Sequence, residues 1–298
     1  MKKAESQSVD LYLEVVKMAL TGALNEDNDQ ILGGRRGEGT WKHRIANRMA
    51  DIVGLFDIEM ARKRPYDPAL RARGLDRPGR AESMIGLQRM DNLRFCIESV
   101  LRDDIPGDLI EAGVWRGGAT IFMRAALKAH GDTSRTVWVA DSFEGLPAPN
   151  VSRYPADRGD AHHTVSELRV GVEQVKHNFR RYGLMDDQVK FLVGWFKDTL
   201  PSAPIDRIAV MRLDGDMYES TIQALEALYP KLSVAGYCII DDYGLLPGAK
   251  RAVHDYRTAM GIGDEIVDID GVGVFWRKTS EVMPGDAHAG HGSAEADT

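Results

Sequence analysis

Two patterns of hydrophobic positions divide the chain near residue 108. Downstream, short runs rich in β-branched and aromatic residues alternate with stretches whose apolar residues recur every three or four positions, which predicts alternating strands and helices. The predicted strands cover residues 109–114, 136–140, 189–193, 208–213, 237–240, 266–269 and 273–276. The predicted helices among them cover residues 120–129, 165–182, 195–199, 220–231 and 249–260.

The order of these elements predicts the fold class. Strands that alternate with helices form a mainly parallel sheet with helices on both faces. Only residues 270–272 separate the last two strands, a spacing typical of a hairpin, so one of the two must run antiparallel to the rest. We therefore expect an α/β, Rossmann-like sheet of seven strands, mostly parallel with an antiparallel last strand.

The residues before position 108 have a different pattern. Helical periods cover residues 9–24, 42–62 and 86–102, and the first is apolar at Leu11, Val15, Met18 and Ala19. Residues 25–39 are rich in Asp, Asn, Gly and Arg and predict a loop. Residues 62–80 are basic and interrupted by proline and glycine, which predicts no regular helix.

These patterns predict the division of the chain. Residues 1–82 form a helical and loop extension, suited to a lid or to oligomerisation. Residues 83–278 form the sheet domain, and residues 279–298 a small, polar tail that we expect to be disordered.

Composition and charge narrow the class of protein. Hydrophobic residues make up 43% of the 298 and charged residues 28%, as in ordinary globular proteins. The net charge of −7 disfavours a nucleic-acid partner, because neutralising phosphates requires a basic surface. The two cysteines, Cys96 and Cys238, lie in apolar stretches and predict reduced core residues. No apolar run approaches the ~20 residues of a membrane helix, and the polar N-terminus has no secretory signal, so we expect a cytoplasmic protein.

The first predicted strand of the sheet leads into a glycine-rich turn. Gly113, Gly117 and Gly118 allow the backbone to pass close to a ligand. Ligands of open α/β sheets bind beyond the carboxyl ends of the strands. Asp141 follows the second predicted strand, where its carboxylate can accept hydrogen bonds from both hydroxyls of a ribose. The pattern predicts a nucleoside site; the alternative is that the glycines form only a tight turn.

The charge of Glu111 separates two possible cofactors. The turn does not have the G-x-G-x-x-G spacing of a dinucleotide site, and the Glu111 carboxylate would crowd a pyrophosphate with negative charge. S-adenosylmethionine (SAM) has no phosphate, and its ammonium and sulfonium groups are favoured by a nearby carboxylate. The residues therefore favour SAM over a nicotinamide dinucleotide.

Four aspartates follow the fourth and fifth strands. Asp214 and Asp216 are two residues apart and can face the same side, while Asp241 and Asp242 end the next strand. Oxygen ligands without histidine or cysteine favour Mg²⁺ over zinc. We predict Asp214, Asp241 and Asp242 as metal ligands and Asp216 as the general base; the alternative is a set of solvated or helix-capping aspartates. A bound cation would ease deprotonation of a substrate hydroxyl, whose oxygen would then attack the SAM methyl group.

These motifs resemble those of the macrocin O-methyltransferase family, which methylates deoxysugars on macrolides and aminocoumarins. The resemblance covers roughly residues 83–278. Besides the segments already described, the matching stretches are residues 84–86, 90–93, 141–147, 194–201, 213–221 and 236–244. The resemblance implies a class I methyltransferase sheet, SAM and Mg²⁺ as cofactors, a glycosylated natural product as the acceptor, and a homo-oligomer.

The resemblance also implies roles for single residues. Gly194 and Trp195 would lie near the adenine, and Ser142 follows the ribose-binding acid. The SAM-binding set expected in total is Met84, Glu111, Gly113, Gly117, Asp141, Ser142, Gly194, Trp195 and Asp214.

Other functions remain open at this point. The sugar acceptor comes only from the resemblance, and a catechol or other phenol also suits SAM with a metal. A nicotinamide oxidoreductase and a non-catalytic binding module are the further alternatives. Residues 25–80 are longer than in the usual form of the family, which leaves the acceptor undetermined. His162 and His163 lie in a polar loop that could cover the substrate, or they are simply exposed.

Overall fold

The computed structural model describes residues 2–27, 29–32, 41–76 and 78–281. Most of the predicted tail and part of the predicted loop 25–39 lie outside the described residues. The helices are α1 (Lys2–Leu20), α2 (Trp41–Gly54), α3 (Pro68–Arg73), α4 (Leu87–Arg102), α5 (Gly118–Ala129), α6 (Val172–Arg181), α7 (Phe196–Thr199), α8 (Tyr218–Leu228) and α9 (Pro247–Ala259). The strands are β1 (Gln30–Ile31), β2 (Ala61–Arg62), β3 (Asp108–Ala112), β4 (Val137–Asp141), β5 (Val189–Val193), β6 (Ile208–Leu213), β7 (Leu232–Ile240), β8 (Val267–Asp268) and β9 (Val274–Arg277).

Seven of these strands form one sheet in the order β5-β4-β3-β6-β7-β9-β8. All neighbours are parallel except those of β9, which runs antiparallel to both β7 and β8. This architecture confirms the predicted fold class. The chain builds outward from β3 through β4 to β5, then returns to place β6 and β7 on the other side of β3. The strand order therefore reverses between β3 and β6, the position at which open α/β sheets bind ligands.

The core explains why the central strands have continuous apolar runs. Every residue of β6 is buried, and so are Leu109 to Ala112 of β3, because helices cover both faces of the sheet. Helices α1, α4 and α5 contribute to one apolar cluster, and helices α8 and α9 to the other. The two cysteines are buried and free. Among the described residues, no helix combines the length and the apolar character that a membrane span requires.

Helix α1 belongs to the core through a different face from the one that its sequence suggested. Leu13 and Leu20 are fully buried in the cluster with α4 and α5, whereas Leu11 is 62% exposed and Val15 55% exposed. The helix itself was predicted, but two of the four apolar positions named for it face solvent.

Two other expectations in the N-terminal part were wrong. The helix predicted over residues 42–62 ends at Gly54, and its last two residues form strand β2 instead. The stretch 62–80 does contain a helix, α3, because Pro68 occupies its first turn, where the missing N–H is tolerated, and Asp67 caps it. The basic charge of this stretch is partly structural, since buried Arg71 donates to the carbonyl oxygens of Met84 and Ile85 at 2.7 and 2.9 Å.

Candidate active site

A cavity of about 350 Å³ lies beyond the carboxyl ends of the central strands. Its lining residues are Met84, Gly113, Trp115, Asp141, Ser142, Gly145, Leu146, Pro147, Ala148, Leu168, Trp195, Phe196, Lys197, Asp214, Gly215, Asp216, Glu219, Ser220 and Gln223. Six of the nine residues expected to bind SAM are in this set, and so is Asp216. The structure therefore brings the predicted nucleoside end and the predicted acidic end into one cavity.

At the nucleoside end, the backbone holds the carboxylate of Asp141. One carboxylate oxygen accepts from the N–H of Val114 at 2.8 Å and the other from the N–H of Phe143 at 2.7 Å. Loss of hydration raises the pKa of Asp141, and these backbone donors oppose that rise. The Ser142 hydroxyl also donates to the oxygen that Phe143 contacts, at 3.4 Å, whereas the oxygen that Val114 contacts keeps a second lone pair for a ligand.

Gly113 has a structural reason to be glycine. Its φ angle is 89°, and a Cβ at this position would lie 1.8 Å from the carbonyl oxygen of Asp214. The ends of β3 and β6 approach so closely here that no side chain fits between them. The sequence predicted a close approach of Gly113 to a ligand, whereas the close neighbour in the structure is the end of β6.

Three residues expected to bind SAM do not line the cavity. Gly117 is the N-cap of α5 with φ 86°, and Gly194 lies in the turn after β5, where its N–H donates to the carbonyl of Asp141 at 2.9 Å. Glu111 is 2% exposed inside β3, where it accepts a hydrogen bond from Arg212. Loss of hydration raises the pKa of Glu111 to about 8, although Arg212 opposes this shift.

At the acidic end, the carboxylates of Asp214, Asp216 and Asp242 lie together, with one oxygen from each within 4.8 Å of the others. Asp242 is buried, and the other two are partly exposed toward the cavity. Loss of hydration and the charge of Asp214 raise the pKa of Asp216 to about 7. Loss of hydration and the charges of Asp216 and Asp214 raise the pKa of Asp242 well above its usual value. The cluster concentrates negative charge that its own members do not balance.

Asp241 is not a member of this cluster, although its charge acts on both Asp214 and Asp242. Its carboxylate accepts from Nη1 of Arg89 at 2.6 Å and from Nη2 of Arg212. Loss of hydration alone would raise the pKa of Asp241, but the two guanidinium groups outweigh it and hold the pKa below its usual value. Asp241 lies two residues beyond Ile239, the register partner of Arg212, and so shares a side of the sheet with that arginine. The expected meeting of Asp214, Asp241 and Asp242 is therefore not what the structure shows, because Asp216 takes the place of Asp241.

Arg212 is a residue that the sequence interpretation missed. It lies in fully buried β6 and contacts three carboxylates, those of Glu111, Asp214 at 2.9 Å and Asp241. A buried ion needs several such partners to offset its lost hydration. An arginine inside an otherwise apolar strand was the available signal, since such a position demands buried acidic partners.

The acidic cluster fits a hard divalent cation. Two oxygens bound to one Mg²⁺ at about 2.1 Å lie no more than about 4.2 Å apart, so the observed span needs only small side-chain rotations to close. Carboxylate oxygens without histidine or cysteine suit Mg²⁺ better than zinc. A cation there would also offset the negative charges of Asp216 and Asp242.

No role was predicted for several of the lining residues. Trp115, with φ 47°, directly follows the glycine turn, and its indole N–H donates to the carbonyl of Glu167 at 2.8 Å. Glu219 and Gln223 lie one turn apart on α8, immediately after the acidic strand end. Their position in the chain was the signal, because residues just beyond a ligand-binding strand end face the same cavity.

Local partners are found for His162, Tyr218, Tyr243 and His254. The ring Nδ1 of His162 lies 2.7 Å from a carboxylate oxygen of Asp160. The hydroxyl of Tyr218 donates to Asp255 at 3.0 Å, and that of Tyr243 lies 2.7 Å from the ring Nε2 of His254. Neither tyrosine lines the cavity.

The chain is similar in sequence to proteins of known activity. The sequence model of the macrocin O-methyltransferase family matches residues 9–278. The 8-demethyl-8-(2,3-dimethoxy-α-L-rhamnosyl)-tetracenomycin-C 4'-O-methyltransferase of Streptomyces olivaceus is 59% identical over 215 residues, 72% of this chain and 81% of that protein. The mycinamicin III 3''-O-methyltransferase of Micromonospora griseorubida is 44% identical over 278 residues, 92% of this chain and 99% of that protein.

A solved structure agrees with these sequence matches. The O-methyltransferase NovP superposes with a TM-score of 0.78 at 44% identity, over 91% of this chain and all of the other. The family implies SAM as the methyl donor. From the family match, these relatives and the cavity at the switch point of the sheet, we conclude that the chain belongs to the macrocin O-methyltransferase family and is an O-methyltransferase.

Proposed function

We propose that the protein transfers a methyl group from SAM to a sugar hydroxyl of a glycosylated natural product, with Mg²⁺ at the acidic cluster and Asp216 as the general base. The observation that carries this proposal is that Asp214 and Asp216, two of the three clustered carboxylates, line the same cavity as Gly113 and Asp141. The sugar acceptor rests on the relatives, whose names specify a rhamnosyl 4'-hydroxyl position in one case and a 3'' position in another.

The nucleoside end would hold SAM. Asp141 can accept from a ribose hydroxyl through its remaining lone pair, while Ser142 and Trp195 line the wall beside it. Met84 lines the same cavity from the segment before α4. Gly113, Gly117 and Gly194 would contribute by the turns that they allow, and Glu111 by holding Arg212 behind the first of these turns.

The acidic end would hold the cation. Asp214 and Asp242 are the ligands that the structure supports most directly, because they lie in the cluster. Asp241, also expected as a ligand, has Arg89 and Arg212 as partners and would act by holding Arg212 against Asp214. When bound, a divalent cation would stabilise the negative charge that develops on the acceptor oxygen.

Asp216 would take the proton of the acceptor hydroxyl. As the proton moves to the Asp216 carboxylate, the acceptor oxygen forms a bond to the methyl carbon and the bond from that carbon to sulfur breaks. The products are the methyl ether, S-adenosylhomocysteine and protonated Asp216. Asp216 lines the cavity that would hold SAM, and this cavity would supply the alignment of oxygen, carbon and sulfur.

The N-terminal part supports association into a homo-oligomer as a further element of this proposal. The side chains of Ile45, Met49 and Ile52 are each at least half exposed along α2, although they recur at helical spacing on one apolar face. Light scattering of the wild type and of Ile52→Glu would test it: we expect an oligomer that the charged variant weakens, and a monomeric wild type would contradict it.

An acceptor panel tests the proposed reaction. The protein is incubated with SAM and MgCl₂ and with rhamnosylated tetracenomycin, mycinamicin III, their aglycones and catechol, and products are detected by mass spectrometry. We expect a mass gain of one CH₂ unit on a sugar-bearing compound, and none with Asp216→Asn, which should still bind S-adenosylhomocysteine. Methylation of catechol alone would contradict the sugar acceptor, and binding of only a nicotinamide dinucleotide in calorimetry would contradict the methyl donor.

A further inference from the structure

Helix α8 begins two residues after Asp216, yet the side chain of its own N-cap residue cannot cap it. Met217 occupies the N-cap position, and its side chain has no oxygen with which to accept from the first N–H groups of the helix. The first N–H groups of a helix have no acceptor within the helix itself. The first turn of the helix that follows the acidic strand end therefore depends on an acceptor from elsewhere.

Asp157 supplies that acceptor from 61 residues upstream. One of its carboxylate oxygens accepts from the N–H of Tyr218 at 2.7 Å, and the other accepts from the N–H of Glu219 at 2.9 Å. Asp157 is only 3% exposed, so both hydrogen bonds are shielded from water. Hydrogen bonds between an ionised carboxylate and backbone N–H groups are among the stronger ones in proteins.

Residues at the start of α8 and α9 pack closely around Asp157. Helix α9 also begins here, and a Cβ at Gly248 would lie 3.2 Å from the Asp157 carboxylate and 3.1 Å from the backbone nitrogen of Tyr218. The N-termini of α8 and α9 thus converge on one negative group, which helix dipoles favour. Tyr154, three residues earlier, packs against the ring of Tyr218 with a centroid distance of 6.0 Å.

These contacts join two parts of the cavity wall. Asp157 lies in residues 142–171, which connect β4 to α6 and which we term the β4–α6 loop. This loop lines the cavity through Gly145 to Ala148 and through Leu168, while α8 lines it through Glu219. The β4–α6 loop is therefore tied to α8 next to lining residues of both.

We propose that Asp157 is a positioning residue that ties the β4–α6 loop to the first turn of α8 in the cavity wall and thereby fixes Asp216. Asp216 has φ 57°, a strained conformation for a residue other than glycine, and lies two residues before Tyr218. Anchoring the first turn of α8 restrains the backbone that holds Asp216 in this conformation. The positioning role rests on the proposed function, because it presumes an acceptor hydroxyl next to Asp216.

The chain contains a matched control for this contact. Asp67 caps α3 through one carboxylate oxygen that accepts from Ala69 and Leu70, and it does not line the cavity. Asp67→Ala and Asp157→Ala both remove a capping carboxylate. Only Asp157→Ala removes a carboxylate that also connects two segments of the cavity wall. Asp157→Asn keeps the shape of the side chain and serves if the alanine variant does not fold.

The test combines amide hydrogen exchange with kinetics on the full chain. In Asp157→Ala and Asp157→Asn we expect amides of the β4–α6 loop and of the first turn of α8 to exchange about tenfold faster or more than in the wild type. We expect kcat/KM for the acceptor that the wild type methylates to fall by about 10- to 100-fold, while the affinity for S-adenosylhomocysteine changes little. Asp67→Ala should change neither quantity.

Unchanged exchange in the β4–α6 loop of the Asp157 variants would overturn this role of Asp157. So would a loss of activity that Asp67→Ala reproduces. If the wild type methylates no acceptor of the panel, the proposed function fails, but the exchange measurement still decides whether Asp157 anchors the loop. The two failures are therefore distinguishable.

Discussion

Both ends of the cavity contain aspartates at the ends of strands, but the groups around these aspartates differ. At the nucleoside end, backbone N–H groups of Val114 and Phe143 occupy both oxygens of Asp141. At the acidic end, Asp216 and Asp242 face other carboxylates, whose charges add to the rise of their pKa values. The fold thus supplies hydrogen-bond donors to the carboxylate at the nucleoside end. The carboxylates at the acidic end need a cation or protons to offset their repulsion.

Asp241 shows a third arrangement, only one residue from Asp242. It lies between Arg89 and Arg212, and its pKa is held below the usual value despite its loss of hydration. The protein can therefore balance a buried carboxylate with its own cations where it needs to. No described ion pair gives Asp216 or Asp242 an arginine or lysine partner, although a charge on His162 lowers the pKa of Asp216, and this supports the proposal that an external cation belongs there.

The largest effect is expected from Asp216→Asn. The amide cannot take the proton of the acceptor hydroxyl, so kcat should fall by about 10²- to 10⁴-fold. The affinity for S-adenosylhomocysteine should change little, because the nucleoside end is intact. Steady-state kinetics and calorimetry measure the two quantities, and near-normal turnover in the variant would exclude Asp216 as the base.

Removal of the metal should have the next largest effect. Treatment with EDTA should lower the methylation rate by about 100-fold or more, since charge stabilisation by a cation contributes several kcal/mol, and added Mg²⁺ should restore it. Asp242→Asn should need a much higher Mg²⁺ concentration for half-maximal rate. A rate that EDTA leaves unchanged would mean that the acidic cluster works through its protons alone.

A smaller and different effect is expected from Asp141→Asn. The side-chain amide would point its N–H₂ toward the N–H of Val114 or Phe143, and a lost charge-assisted hydrogen bond weakens binding by about tenfold or more. The KM for SAM should rise while kcat at saturating SAM and the Mg²⁺ requirement stay close to those of the wild type. A raised Mg²⁺ requirement in this variant would break the distinction between the two ends.

The sheet and its ligand-binding edge could be predicted because their signals are local. Fully buried strands such as β6 give continuous apolar runs, and Gly113, Asp141 and Asp214 directly follow the strands that place them. The order of strands and helices then determines which strand ends meet. That is why six of the nine expected SAM contacts line one cavity.

The membership of the acidic cluster and the cap of α8 could not be predicted, because both depend on contacts between residues far apart in the chain. Whether Asp241 or Asp216 joins the cluster is decided by Arg89, 152 residues before Asp241, and by Arg212 on the neighbouring strand. The cap of α8 comes from Asp157, which no pattern around Met217 reveals. The composition and the spacing of residues along the chain do not indicate which distant residues will pair.

The most direct test of the proposed metal site is a calorimetric titration of Mn²⁺, as a stand-in for Mg²⁺, into metal-free protein saturated with S-adenosylhomocysteine. We expect one ion to bind per chain, with Asp242→Asn losing most of the affinity and Asp141→Asn keeping it under the same saturation. If no ion binds to the wild type, or if Asp242→Asn binds it as tightly, then the acidic cluster is not a metal site and the proposed role of Mg²⁺ is wrong.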